Sequence, residues 1–315
     1  MEFAETLPKQ IGNVKLNYEF YPGEDIYSDG AIEDEILDIT KNAARIEYPK
    51  IIEEKNSWPV LYHLSALRGN IVDWLPITKD MKVLEIGSGC GPITGVLARK
   101  AKSVTCIDLS KMRSTINAYR NRECDNVKIM VGNFQDVESS LTEKYDYITL
   151  IGVFEYSQGY IGTAQPYVEM LRRIARHLAP GGRIVIAIEN RLGLKYWAGC
   201  TEDHVGKYFE GLENYPDTRS VRTFSRKELS DIIDQAGEFK TTFYYPYPDY
   251  KFPMTIYSDK RLPKKGELRD NFCNFDRNRI QLFNEGKVYD SLTDAGLFQE
   301  FSNSFLVIVE RKENK

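Results

Sequence analysis

Five short runs rich in β-branched and aliphatic residues, at 82–87, 103–108, 127–132, 145–152 and 182–189, alternate with segments whose apolar residues recur every three or four positions. This rhythm constrains the fold more than any other feature of the chain. A strand that reads as a nearly continuous apolar run is covered on both faces, and strand–helix–strand units with short connections force parallel pairing. The clearest helical segment is 166–178, where Val168, Leu171, Ile174, Ala175 and Leu178 share one face and Pro180-Gly181-Gly182 follow as a stop. A second, 226–236, opens with Ser225 and has Glu228 three residues on, the pattern of a capping box. An aromatic strand at 239–247 and an apolar one at 304–310 follow. The fold class is α/β, with a mostly parallel sheet. Before the sheet, 60–75 reads as one helix with Leu64, Leu67, Ile71, Trp74 and Leu75 on one side, so 1–76 is expected to be a helical extension and 77–315 the main domain.

Composition narrows the classes of function. The 315 residues, 42% hydrophobic and 12% aromatic, are enough for a real core, and a net charge of −4 gives no basic footprint for general nucleic-acid binding. No apolar run approaches the roughly 20 residues of a membrane span, and the opening MEFAETLPKQ does not read as a signal peptide. Cys90, Cys106, Cys124, Cys200 and Cys273 are scattered, with no CxxC, which fits reduced thiols in a cytoplasmic protein better than disulfides or a zinc site.

The chemistry is concentrated where the runs end. The first closes in "VLEIGSGCGP", with Gly87, Gly89 and Gly91 behind the acidic Glu85, and a helix is expected to begin near Ile93. A turn at the carboxyl end of a strand is where open α/β sheets bind ligands. The spacing is GxGxG, not the GxGxxG of a dinucleotide site, and Pro92 removes an amide that a phosphate would use. No GK[ST] follows, so a P-loop is excluded. A bare turn with an acidic neighbour suits a ligand without phosphates, one carrying an amino group and a sulfonium. Asp108 ends the next run, 21 residues beyond Gly87, the distance at which a carboxylate accepts bonds from ribose hydroxyls. Gly132-Asn133-Phe134 ends the third, a polar–aromatic pair suited to an adenine, and "LIGVFEY" closes the fourth.

In order and spacing, "VLEIGSGCG", "CIDLS", "GNF", "YDYITLIGVFEY" and "LAPGGRIVIAIEN" resemble the successive motifs of class I S-adenosylmethionine-dependent methyltransferases, over about 83–189. The resemblance implies a Rossmann-like seven-stranded sheet with helices on both faces and an antiparallel last strand, 304–310, beside the fifth. It also implies that Gly87, Gly89 and Gly91 wrap the methionine and ribose of S-adenosylmethionine. Asp108 would bind the ribose, Leu109, Asn133 and Phe134 flank the adenine, and Gly152 lie under the amino-acid end. Many small-molecule members have Glu-His after the fourth strand; here Glu155-Tyr156 stands there, so that histidine is absent. No [DN]PP[YF] follows either, which counts against an amino-methylating nucleic-acid enzyme. A narrower resemblance, carried by "IENRLGLKYWAGCTEDHVGKYFEGLENYP", "RTFSRKEL", "YYPYPDYKFP" and "FSNSFLVIVE", is to methyltransferases of bacterial surface-polysaccharide gene clusters. It implies a sugar or glycan-intermediate acceptor and glycosyltransferase neighbours.

Two insertions, 190–223 and 248–300, are too long for ordinary connections and are expected to cover the acceptor. Tyr196, Trp197, Tyr208 and Tyr215, set among acidic and amide side chains, suit a saccharide's apolar faces and hydroxyls. A hydroxyl acceptor must lose a proton. His204, with Asp203 or Glu189 as its expected carboxylate, is the candidate base or substrate ligand, and Glu189 at the end of the fifth run is the second candidate. His63 and His177 read as helix-surface or cap residues. Arg68 either reaches the cofactor carboxylate or makes a surface ion pair. No Asp/His cluster shows metal-ligand spacing, so no metal is expected. The alternatives are a nucleic-acid or protein methyltransferase and a non-catalytic scaffold; the charge balance opposes the first, and the intact Glu85, glycine turn and Asp108 oppose the second.

Overall fold

The computed structural model describes residues 7–25, 30–269 and 279–312. The chain divides into two compact units, one up to Thr149 and one from Leu150 on. Cys273 and the stretch 270–278 of the second expected insertion lie outside the described residues.

The first unit holds strands β1 (Gln10–Ile11), β2 (Val14–Phe20), β3 (Lys82–Ile86), β4 (Ser103–Asp108) and β5 (Val127–Gly132), and most of β6 (Tyr145–Ile151), in the order β1-β2-β5-β4-β3-β6. β3, β4 and β5 pair in parallel, with Val83 opposite Val104 and Cys106 opposite Ile129. Val83, Val104, Ile107, Val127, Ile129 and Val131 are all buried, at about 1.5–3 kcal/mol each for an aliphatic side chain taken from water. The helix Lys111–Arg120 starts at a doubly capped end. The Ser110 hydroxyl accepts from the Arg113 amide, and the Asp25 carboxylate accepts from the Lys111 and Met112 amides at 2.6 and 2.9 Å.

The extension is not wholly helical. It supplies β1 and β2, and β2 runs parallel to β5. At the end of that pairing a Cβ on Gly132 would lie 2.7 Å from the Phe20 backbone oxygen, so only glycine lets the two strands close. The single helix expected over 60–75 is broken. Trp58–Leu64 ends at Ser65, whose hydroxyl accepts from the Leu67 amide, and a 3₁₀ turn Ala66–Gly69 and the short helix Asn70–Asp73 follow. A serine offering its own backbone bond competes with helix. The break rotates the apolar face: Leu64, Ile71 and Leu75 are buried, whereas Leu67 and Trp74 are each 41% exposed.

The second unit holds β7 (Leu178–Glu189), β8 (Phe239–Tyr247), β9 (Thr255–Ser258) and β10 (Ser304–Arg311), ordered β7-β10-β8-β9 with every pairing antiparallel. β10 lies between β7 and β8, as the last strand was expected to. The helices Pro166–Arg176 and Arg226–Ala236 form where the spacing placed them, the second with its Ser225–Glu228 capping box complete. β7 starts earlier than expected, running through Pro180-Gly181 with Gly181 at φ +71°. Ten strands are present among the described residues where seven were expected; β1, β2 and β9 are the additions.

Candidate active site

In the first unit the turn after β3 is built by its glycines. Gly87, Gly89 and Gly91 sit at φ +71°, +51° and +74°, the left-handed region that penalises any side chain. Gly91 is also wedged: a Cβ there would lie 2.2 Å from Asn117 Oδ1, whereas one on Gly89 would meet nothing within 4 Å. The turn thus presents bare backbone outward at Gly89 while Gly91 is pinned inward.

Asp108 ties the turn to β4. Its Oδ2 accepts from the Gly89 amide at 2.7 Å and its Oδ1 from the Ser110 amide at 3.0 Å. Burial raises its pKa, and those two amides pull it back. Glu85 lies beneath, its carboxylate accepting from Thr94 Oγ1 at 2.6 Å, and burial pushes it up to about 7. It braces the start of the helix Thr94–Lys100. Asn133 caps the short helix Phe134–Val137 through the Gln135 amide, Phe134 is buried, and Leu109 is half-buried between Asp108 and Ser110. Arg68 is buried on the 3₁₀ turn, its guanidinium 4.2 Å from the Tyr62 ring centroid and bonded to that residue's hydroxyl at 3.1 Å; it is no surface residue. His63 is buried in the same unit, and desolvation with the charges of Arg113, Arg68 and Arg120 lowers its pKa to about 3.

In the second unit the ends of β6 and β7 carry Gly152, Glu155 and Glu189. Gly152, at φ +70°, donates to the Ala187 carbonyl, and a Cβ there would lie 2.7 Å from the Tyr250 hydroxyl. Glu155 and Glu189 are fully buried, and the loop 190–223 lowers His204 onto them. His204 Nε2 is 3.5 Å from Glu155 Oε1 and 3.8 Å from Glu189 Oε2. Of the two expected carboxylates, Glu189 faces Nε2 and Asp203 turns away, while the one bonded at Nδ1 is Glu202. Its Oε1 lies 2.8 Å from Nδ1, and its Oε2 accepts from the amides of His204 and Val205. Burial alone would lower the imidazole pKa, but Glu189, Glu155 and Glu202 outweigh it and hold it well above the usual value. The Tyr156 ring meets His204 edge-on at 5.4 Å.

Asp203 turns instead to two lysines. Lys195 bridges Asp203 and Asp249, both at 2.9 Å, and Lys251 bridges Asp203 at 3.0 Å and Glu189 Oε1. Tyr196 donates to Asp203, and Tyr215 to Glu202 at 3.1 Å. Tyr196 and Tyr215, two of the three tyrosines expected to meet a saccharide, are therefore buried braces, while the third, Tyr208, is 51% exposed and Trp197 and Phe209 are 45% and 44% exposed. Sequence reasoning missed Lys195, Asp249 and Lys251. Their signal was present only as isolated charges in the aromatic stretches "LKYW" and "PDYK". His177 is the C-cap of its helix and buried.

The cofactor implied by the motifs fits what the first unit offers: open space in front of Gly89, a turn no other residue could form, and a buried carboxylate at Asp108.

Comparison with known proteins agrees. An uncharacterized methyltransferase of Staphylococcus carnosus is 26% identical over 167 residues, 52% of this chain and 72% of that protein. A ubiquinone biosynthesis O-methyltransferase of Pseudomonas savastanoi pv. phaseolicola is 23% identical over 140 residues, 44% of this chain, which spans 57% of that relative's length. The solved structure of Haemonchus contortus phosphoethanolamine N-methyltransferase 1, with phosphoethanolamine and S-adenosylhomocysteine, aligns with 91% of this chain and 50% of its own at 13% identity and a TM-score of 0.49. A profile of the methyltransferase domain matches residues 62–238, more than half of the chain and the whole of β3 to β7. By that match the chain belongs to the methyltransferase domain family, and it is an S-adenosylmethionine-dependent methyltransferase.

Proposed function

We propose that this enzyme methylates a hydroxyl oxygen of a small molecule, and that the acceptor is a sugar or an intermediate of glycan assembly. The observation that carries the reading is the gathering of Glu155 and Glu189, buried, and His204, half-buried, at the ends of β6 and β7 and in the loop beyond, with one ligand atom of each within 4.8 Å of the others. A hydroxyl is a poor nucleophile until its proton leaves, and groups that hold a proton out of water are what that step needs. S-adenosylmethionine supplies an electrophilic methyl group on its sulfonium. Gly87, Gly89, Gly91 and Asp108 are the residues proposed to hold its methionine and ribose, Leu109, Asn133 and Phe134 its adenine, and Arg68 its carboxylate. His204 and Glu189 are the proposed catalytic residues: Glu189, with Glu155 beside it, receives the acceptor's proton, and His204, whose imidazole the glutamates hold protonated above its usual range, binds the acceptor oxygen. Lys251 and Glu202 hold Glu189 and His204 in place.

Support for a sugar acceptor comes from the resemblance to polysaccharide-cluster enzymes and from Trp197, Tyr208 and Phe209, which offer exposed ring faces on the same loop as His204. The test is to incubate the full chain with methyl-labelled cofactor and a panel of nucleotide sugars, catechol-type phenols, amines, RNA and protein. Labelled methyl ethers on sugars are expected. Label only on phenols removes the sugar and keeps the oxygen; label on nitrogen, RNA or protein removes the reading altogether.

A further inference from the structure

We infer that Glu155, Glu189 and His204 form a binding site for one divalent cation of the Mn²⁺ or Co²⁺ kind. What the ion does for an acceptor hydroxyl rests on the reading above; the site itself does not.

Three residues separated by 34 and 15 positions converge so that one ligand atom from each lies within 4.8 Å of the others. Neither contact to the imidazole is a normal hydrogen bond; the Glu155 pair has the spacing of two ligands on one ion, and the Glu189 pair stands slightly wider. His204 Nε2 stands 3.5 Å from Glu155 and 3.8 Å from Glu189, beyond the roughly 2.7–3.2 Å of an N–H···O bond. Donor atoms each about 2.1 Å from a common ion are separated by roughly 3.0–3.5 Å at octahedral or tetrahedral angles.

Oxygens are also left over. Glu155 Oε2 and Glu189 Oε2 are buried and have no hydrogen-bond partner, in carboxylates only 1% and 0% exposed. A buried carboxylate oxygen without a partner is costly, and a cation satisfies two of them at once. Lys251 takes Glu189 Oε1 and leaves Oε2 on the side of His204.

The surrounding shell is that of a metal-ligating histidine. Glu202 holds Nδ1, is itself fixed by two backbone amides and the Tyr215 hydroxyl, and so directs Nε2 at the two glutamates. A carboxylate behind an imidazole fixes the tautomer and strengthens the ligand. Charge points the same way. Glu155, Glu189, Glu202, Asp203 and Asp249 are five carboxylates, and Lys195 and Lys251 supply two ammonium groups. Even a protonated His204 leaves a deficit of positive charge. A divalent ion in place of the Nε2 proton reduces it further. One imidazole with two carboxylates suits Mn²⁺, Co²⁺ and related ions better than Ca²⁺, which prefers oxygen throughout. Three protein ligands leave positions for an acceptor oxygen, whose proton such an ion makes easier to remove.

The experiment uses the full chain, stripped with chelator, dialysed and titrated with Mn²⁺ while free ion is read by electron paramagnetic resonance. One ion per chain is expected, with Glu155→Gln and His204→Ala each weakening binding by at least about 10–100-fold. Circular dichroism checks that both variants are folded. The wild-type chain titrated with Co²⁺ should show visible d–d bands, which does not depend on any variant folding. No saturable Mn²⁺ binding, or no Co²⁺ bands, overturns the site, as does undiminished binding in folded Glu155→Gln and His204→Ala. A chain that binds Mn²⁺ but methylates no hydroxyl overturns the oxygen reading and leaves the site standing. One that methylates hydroxyls at full rate without binding the ion does the reverse.

Discussion

The glycine turn after β3 and the charged cluster after β6 and β7 both sit at the carboxyl ends of strands, yet they are assembled in opposite ways. The turn is contiguous. Its strain at Gly87, Gly89 and Gly91 and its tether to Asp108 come from two short stretches of chain. The cluster draws on Glu155, Glu189, Lys195, Glu202 to His204, Asp249 and Lys251, spread over almost a hundred residues. A backbone device can be written locally because it depends on which residues lack a Cβ. A side-chain device needs the tertiary fold to bring its members together. The first therefore holds its shape by conformational restriction, the second by compensated charge.

Breaking the cluster should leave the turn intact, and this is the largest effect expected. Glu189→Ala removes a proposed catalytic carboxylate and leaves Lys251 without its Glu189 partner. Turnover should fall by about 10²–10⁴-fold, while calorimetric affinity for S-adenosylmethionine stays within about twofold of wild type. Equal losses in both would mean that the two regions are one cooperative device, and the contrast drawn above would fail.

The next effect lies in the first unit and is read through pH. Glu85 is raised from an ordinary 4.5 to about 7. A carboxyl whose folded pKa lies above its unfolded one contributes stability that is fully present below about pH 4.5 and is lost as pH rises through 7. A pKa moved from 4.5 to about 7 corresponds to ~3 kcal/mol. Glu85→Gln cannot ionise, so its stability should fall less than wild type's between pH 5 and 8 in urea titrations. Identical slopes for the two proteins would show that Glu85 keeps an ordinary pKa. His63 works in the other direction: its lowered pKa withdraws stability as pH falls from about 6.5 toward 3. The pair thus predicts a maximum between those limits.

The smallest effect tests whether one residue serves both structure and ligand. Asp108→Ala frees the amides of Gly89 and Ser110 and removes the proposed ribose acceptor. About 1–3 kcal/mol should be lost in cofactor binding and a comparable amount in unfolding free energy. A loss confined to stability would make Asp108 a brace for the turn alone.

The contrast explains what could be read beforehand. β4 and β5 begin and end where their apolar runs do, because doubly covered strands need nearly continuous apolar residues, and β8 was marked by its aromatic residues instead. The capping box at Ser225 was legible for the same local reason. The break at Ser65 was not, since the apolar spacing continues through it while a single hydroxyl diverts the backbone. His204 was found as a histidine next to carboxylates and Glu189 does raise its pKa, but Glu202, which holds Nδ1, was missed, and Asp203 pairs with Lys195 and Lys251 instead. Lys195 and Lys251 showed only as isolated charges in aromatic stretches. A lysine in an aromatic stretch reads as solvated until its carboxylates are placed around it.

The strands beyond the expected seven have an effect that catalysis does not require. β1, two residues long, ends the strand order of the first unit, and β9, four residues long, ends that of the second. Long flat edges are where one chain recruits another into a continuous ladder, and short outer strands give such recruitment little to grip. Beside β1, β2 alternates buried Val14 and Leu16 with exposed Lys15, so one of its faces packs inward and the other carries charge. The hairpin therefore covers the edge of β5 and offers in its place an outer strand of only two residues.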